Sequence, residues 1–98
     1  DYLLSDRPCY VLTVKGESMV DAGIMDGDLV VIERRDTASN GEIVVALIND
    51  EEATLKRLQN NNDGSVSLIP ENSSMEPMVY QADAVQIQGV LVSLLRRY

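Results

Sequence analysis

Histidine is absent from the 98 residues of this chain, and that gap removes Ser-His-Asp and Cys-His catalysis together with the commonest metal ligand. Any proton transfer must run on another side chain. Cysteine occurs once, at Cys9, so no internal disulfide can form, which suits a reducing compartment. Followed by Tyr10 and Val11, Cys9 reads as a small core residue. Positive charge is scarce: eight Lys and Arg stand against sixteen Asp and Glu, for a formal net charge of −8. Such a surface repels phosphate backbones, so the segment by itself is not expected to bind DNA. No apolar run approaches the roughly 20 residues needed to cross a bilayer, and no phosphate-cradling glycine motif, repeat or low-complexity tract is present. A soluble, cytoplasmic protein without a metal or cofactor is expected. Its length suits one folding unit over residues 1–98. The chain opens on Asp1 with no leader-like segment, and so reads as a piece of something longer.

What is present is a series of short β-type runs separated by turn residues. Cys9 to Lys15 is rich in β-branched and aromatic residues and ends at Gly16. A short helical turn is expected from about Ser18 to Ala22. Gly23 and Gly27, the latter flanked by Asp26 and Asp28, mark tight turns before Leu29 to Glu33, whose unbroken apolar character implies burial on both faces. Glu42 to Ile48 and Ala53 to Leu58 flank a polar reversal and read as a hairpin. Asn60 to Gly64 is a second hairpin turn into Ser65 to Ile69, and Pro70 stops that strand because it has no N–H for the ladder. Ala84 to Leu95 alternates at first, then becomes apolar on both faces at Val90, Leu91 and Val92. Those three need cover, either from the sheet or from a second copy of the chain across a two-fold axis. The pattern is that of an all-β domain.

Chemistry concentrates at two places. Gly16-Glu17-Ser18-Met19 sets a serine where a strand gives way to a turn, exposing its oxygen and leaving backbone N–H groups unpaired. A serine in that setting is also an ordinary helix cap, so it needs a base. Only two lysines occur, Lys15 and Lys56. Lys56 lies inside a strand next to Arg57, and alternation sends the two side chains to opposite faces. A desolvated lysine can shed its proton and accept one from serine, which arginine cannot do in a protein. Lys56 also fits a solvated edge-strand charge that deters aggregation. Asp21, Asp26 and Asp28 miss the spacing of a calcium loop and read as turn residues. Met19, Met25, Met75 and Met78 read as core fillers rather than groove lining. Arg96, Arg97 and Tyr98 read as a solvated tail.

Residues 14–19 (Val-Lys-Gly-Glu-Ser-Met) and 21–28 (Asp-Ala-Gly-Ile-Met-Asp-Gly-Asp) together resemble the serine box of LexA-type repressors. Residues 41–46 and 53–58 resemble that family's lysine box, and residues 68–73 the segment that follows it. The resemblance implies a small, strongly twisted antiparallel sheet or partial barrel, of the type shared with signal peptidases. It implies a serine endopeptidase acting on its own chain, with Ser18 as nucleophile, neutral Lys56 as general base, and the N–H groups of Glu17 and Ser18 as oxyanion donors. It further implies an SOS-response repressor acting as a homodimer, with Val90, Leu91 and Val92 at the dimer interface. Operator DNA would be bound only by an N-terminal helix-turn-helix domain outside this chain, and a RecA–single-stranded DNA filament would stimulate cleavage. The family's scissile Ala-Gly or Cys-Gly bond lies upstream of the first strand; Ala22-Gly23 sits within the serine box and reads as a turn. A UmuD-type polymerase accessory subunit, a phage repressor dimerisation domain and a signal-peptidase-like enzyme resemble the same pattern.

Overall fold

In the computed structural model, which describes residues 7–96, seven strands form one antiparallel sheet: β1 (Cys9–Thr13), β2 (Leu29–Glu33), β3 (Ile43–Ile48), β4 (Glu52–Asn60), β5 (Ser65–Ile69), β6 (Met78–Gln81) and β7 (Val85–Leu95). The spatial order is β1-β2-β7-β3-β4-β5-β6, so the sheet is open, with β1 and β6 at its edges. Two single 3-10 turns, Val20–Ala22 and Ala82–Ala84, are the helical elements among the described residues. None is long or apolar enough to cross a membrane.

The hairpins follow from turn chemistry. Asn49 and Asp50 both take positive φ between β3 and β4, the conformation that matches the twist of a tight hairpin and that Asn and Asp tolerate. Gly64 does the same before β5 at φ 85. β6 and the 3-10 turn after it lie in a stretch with no clear sequence signal. The strand is four residues long, starts just after Pro77 and carries mostly exposed side chains, so neither periodicity nor burial marks it.

The apolar run of β2 is buried at three consecutive positions, as its continuity implies, and β3 is buried on both faces as well. Along β3, Val44, Ala46 and Ile48 enter one cluster with Leu58, Val66, Leu68 and Val90. Val45, one residue out of phase, joins Met19, Ile24, Val30 and Ile32 in another. β7 is held between β2 and β3 rather than ending the sheet at an edge. Its register shifts against each neighbour, at Val31/Ile32 on β2 and at Val45/Ala46 on β3, leaving Val92 and Gln88 as the skipped residues. Each bulge resets the in-out phase, which explains why β7 loses its alternation. Val90 packs into the first cluster and Leu91 against the second, while Val92 is 38% exposed. The sheet therefore covers Val90 itself and Leu91 in part, and Val92 is the most exposed of the three.

Several side chains lie elsewhere than the sequence suggests. Cys9 is exposed, because it sits on edge strand β1, which is exposed at four of its five positions. Met19 is core at 1% exposure, but Met25, Met75 and Met78 are exposed, the first in a turn and the others around edge strand β6. Arg96 is no solvated tail: its guanidinium donates to both carboxylate oxygens of Asp28 and to the Gly23 carbonyl. Arg97 and Tyr98 lie outside the described residues.

Candidate active site

Residues 14–28 form a loop between β1 and β2, closed at its base by Val14 N–H to Asp28 O and Gly27 N–H to Val14 O, both 2.8 Å. Its three aspartates hold backbone donors. Asp26 accepts from Gly16 N–H at 2.7 Å, Asp28 from Met25 N–H at 2.7 Å, and Asp21 from Ser73 N–H at 2.8 Å. They are turn residues in the physical sense. Arg96 and the Met25 N–H together draw the Asp28 carboxyl down to about 2. Gly23 ends the 3-10 turn in the left-handed region at φ 81, so Ala22-Gly23 is a cap and not an extended peptide.

The local sequence places Ser18 between anchored neighbours. Met19 is buried in the second cluster and Gly16 is turned at φ 87, leaving Ser18 half-buried at the lip of a cleft. That cleft, about 370 Å³, is lined by Leu12 and Thr13 of β1, by Ser18 and Met19, and by the start of β4 from Glu52 to Lys56. Lys56 reaches into it from β4. Its Nζ lies 3.3 Å from Ser18 Oγ and 2.5 Å from Thr54 Oγ1. Burial pushes the Lys56 ammonium below the ordinary lysine range, against a smaller opposing pull from the exposed Glu52 carboxylate. Lys56 and Arg57 take different partners, Arg57 donating to the Glu71 carboxylate and the Gly41 carbonyl. Among the described residues, the backbone N–H groups of Glu17 and Ser18 meet no hydrogen-bond acceptor.

Three contributors escape a reading of the sequence. Thr54 had a usable signal, since two residues before Lys56 on a strand is the same face. Asn72 and Glu71 had only the resemblance of residues 68–73 to the family segment, with no sign of what they touch: they meet the serine loop across fifty or more residues of chain, Asn72 Nδ2 donating to Glu17 O at 2.8 Å and Asp21 N–H to Glu71 O at 2.7 Å. Among the described residues, no group of three or more acidic, cysteine or histidine side chains is placed to hold a metal ion.

A Peptidase S24-like family model matches residues 1–92. The chain is 53% identical to a LexA repressor of Gluconacetobacter diazotrophicus and 54% identical to one of Erythrobacter litoralis, in each case over 98% of its length. It is 49% identical over its whole length to a LexA repressor of Clostridium novyi. It spans less than half of each of these relatives: 38%, 41% and 47% of their lengths.

Proposed function

This chain belongs to the peptidase S24-like family, and from that premise we propose that it is the self-cleaving region of a LexA-type repressor of the SOS response, with Ser18 as nucleophile and Lys56 as base. The observation that carries the reading is the approach of Lys56 Nζ to Ser18 Oγ at 3.3 Å inside the cleft. A lysine whose charge is disfavoured there supplies the neutral amine that a histidine-free chain otherwise lacks.

The geometry supports the following steps. Neutral Lys56 accepts the Ser18 hydroxyl proton as the oxygen attacks the scissile carbonyl carbon. The resulting oxyanion is received by the Glu17 and Ser18 N–H groups, which have no other acceptor to give up. The Lys56 ammonium then protonates the departing amine, and the C–N bond breaks to leave an ester on Ser18. Neutral again, Lys56 takes a proton from water as it attacks the ester, and returns it to the serine oxygen. Thr54 keeps Nζ in line through each transfer. The substrate is an extended segment of the same polypeptide, from the part of the longer protein upstream of β1. It lies against β1, which pairs only with β2 among the described strands. Cleavage separates this region from the operator-binding domain, and a RecA–single-stranded DNA filament promotes the cleavable state.

Dimerisation belongs to the same reading. Among the described strands, β3 pairs with β7 only as far as Val90, and beyond it Leu91 and residues 93–95 of β7 are paired with β2 alone, with Val92 at the bulge. The opposite edge of that stretch, beside exposed Val92, Leu94 and Leu95, suits a second copy of the chain.

The test is self-cleavage of the full-length protein. Its first-order rate is expected to climb with pH and level off once Lys56 is neutral. Ser18→Ala and Lys56→Ala should each lower it about 10³-fold or more. Either variant cleaving at the wild-type rate removes the dyad.

A further inference from the structure

The loop after β5 grips the serine turn at three points. Glu71 O accepts the Asp21 N–H at 2.7 Å, Asp21 Oδ2 accepts the Ser73 N–H at 2.8 Å, and Asn72 Nδ2 donates to Glu17 O at 2.8 Å. The first two hold the loop in place. The third acts on the peptide that joins Glu17 to Ser18.

A trans peptide is planar, with its C=O and N–H pointing opposite ways. Whatever holds the Glu17 oxygen therefore sets the direction of the Ser18 N–H. The amide of Asn72 is itself fixed at its other end: Oδ1 accepts both the backbone N–H and the hydroxyl of Ser74, at 2.9 and 2.7 Å. Its acceptor is thus committed to Ser74 and its donor is left for Glu17. Among the described residues, the only other donor to that carbonyl is Val20 N–H, at a long 3.5 Å. The loop is also tied to the strand that carries the base, since Glu71 is the carboxylate partner of Arg57, next to Lys56 on β4.

We propose that Asn72 is a positioning residue that aims the Ser18 N–H at the developing oxyanion by holding the Glu17 carbonyl from behind. The inference rests on the reading of Ser18 as nucleophile and extends it to a residue fifty-four positions away in sequence. Asn72 touches no reacting atom. It removes the freedom of one peptide plane, so that the donor need not reorient as charge forms.

Asn72→Asp separates the two jobs of the side chain. The carboxylate keeps both acceptor bonds to Ser74, and with them the shape of the loop, but it has no hydrogen to give Glu17. In the full-length protein, the self-cleavage rate from pH 7 to 11 is expected to fall about 10- to 100-fold on its plateau, somewhat less than loss of an oxyanion donor itself. In the neutral Asn72→Ala variant the pH at half-plateau should stay where it is, because no charge near Lys56 changes. Labelling of Ser18 by diisopropyl fluorophosphate should slow by a similar factor, since the phosphoryl oxygen uses the same donors. Asn72→Ala should match the cleavage loss, with the two remaining grips keeping the fold. A plateau within twofold of wild type for both variants overturns the inference, as does a fall in Asn72→Ala accompanied by a shifted half-plateau pH. Labelling at the wild-type rate while cleavage falls overturns it too, because Asn72 would then act on docking of the cleaved segment. Ser18→Ala serves as the control: its inertness beside an active Asn72→Asp defeats this inference alone, whereas its activity defeats the nucleophile reading beneath it.

Discussion

Lys56 is subject to two opposing demands. Half-buried among Thr54, Ser18 and the cleft wall, it is a poor place for a charge, and the same burial makes it a usable base. Its folded pKa lies below its unfolded one, so between those two values the unfolded chain binds the extra proton and stability rises with pH. Below the folded value both states are protonated and folding bears the whole penalty. Lys56→Met, which fills the same space without charge, is therefore expected to raise the melting temperature by a few degrees at pH 7 while cleavage is lost. The gain should shrink toward pH 10. A Met variant less stable than wild type at pH 7 would show that the bonds to Thr54 and Ser18 outweigh desolvation. At this scale the sequence was partly legible. Ser18 and Lys56 each also fitted an ordinary structural role, and what paired them was their place in segments that resemble the LexA-type serine and lysine boxes, in a chain with two lysines and no histidine. Arg96 was not legible, since nothing near it in sequence announces Asp28, sixty-eight positions away.

Among the elements, β7 decides most. It enters last in sequence yet lies between β2 and β3, linking the half of the sheet that carries Ser18 to the half that carries Lys56. Gly89 permits the close approach this requires. A Cβ there would stand 2.3 Å from Ile32 Cγ2 and 2.7 Å from the Glu33 carbonyl oxygen, and the second of these is backbone that cannot rotate away. Gly89→Ala is expected to destabilise the fold by about 1–3 kcal/mol, measured by urea denaturation. A loss below about 0.5 kcal/mol would mean that β2 and β7 separate more easily than their packing implies. Strand existence was readable for six of the seven strands from β-branched runs and turn residues. β6 was not, because a short edge strand needs neither alternation nor burial: its ladder to β5 is backbone, which any sequence can supply.

For the whole molecule, the net charge of −8 opposes self-association. A homodimer through the end of β7 must therefore gain more from covering Val92, Leu94 and Leu95 than it loses in repulsion. Association measured by equilibrium sedimentation is expected to strengthen as salt is raised from about 0.05 to 0.5 M, because screening removes the repulsion and leaves apolar burial intact. Val92→Glu should weaken it about tenfold or more, by placing a charge in that patch. A dimer that loosens with salt, or that ignores the substitution, would put the interface elsewhere.

The sequence by itself determined the class of fold, the two-sided burial of β2, and the short roster of groups able to do acid–base work, because composition and periodicity are local properties of a chain. Only the tertiary structure decided which of those groups meet. Strand order, the two bulges that reset β7, and the loop that carries Asn72 back to Glu17 depend on contacts between distant segments, and no local pattern encodes a distance between residues so far apart. The missing histidine marked lysine as the base to look for; the fold set its amine 3.3 Å from a serine and lowered its pKa by burial.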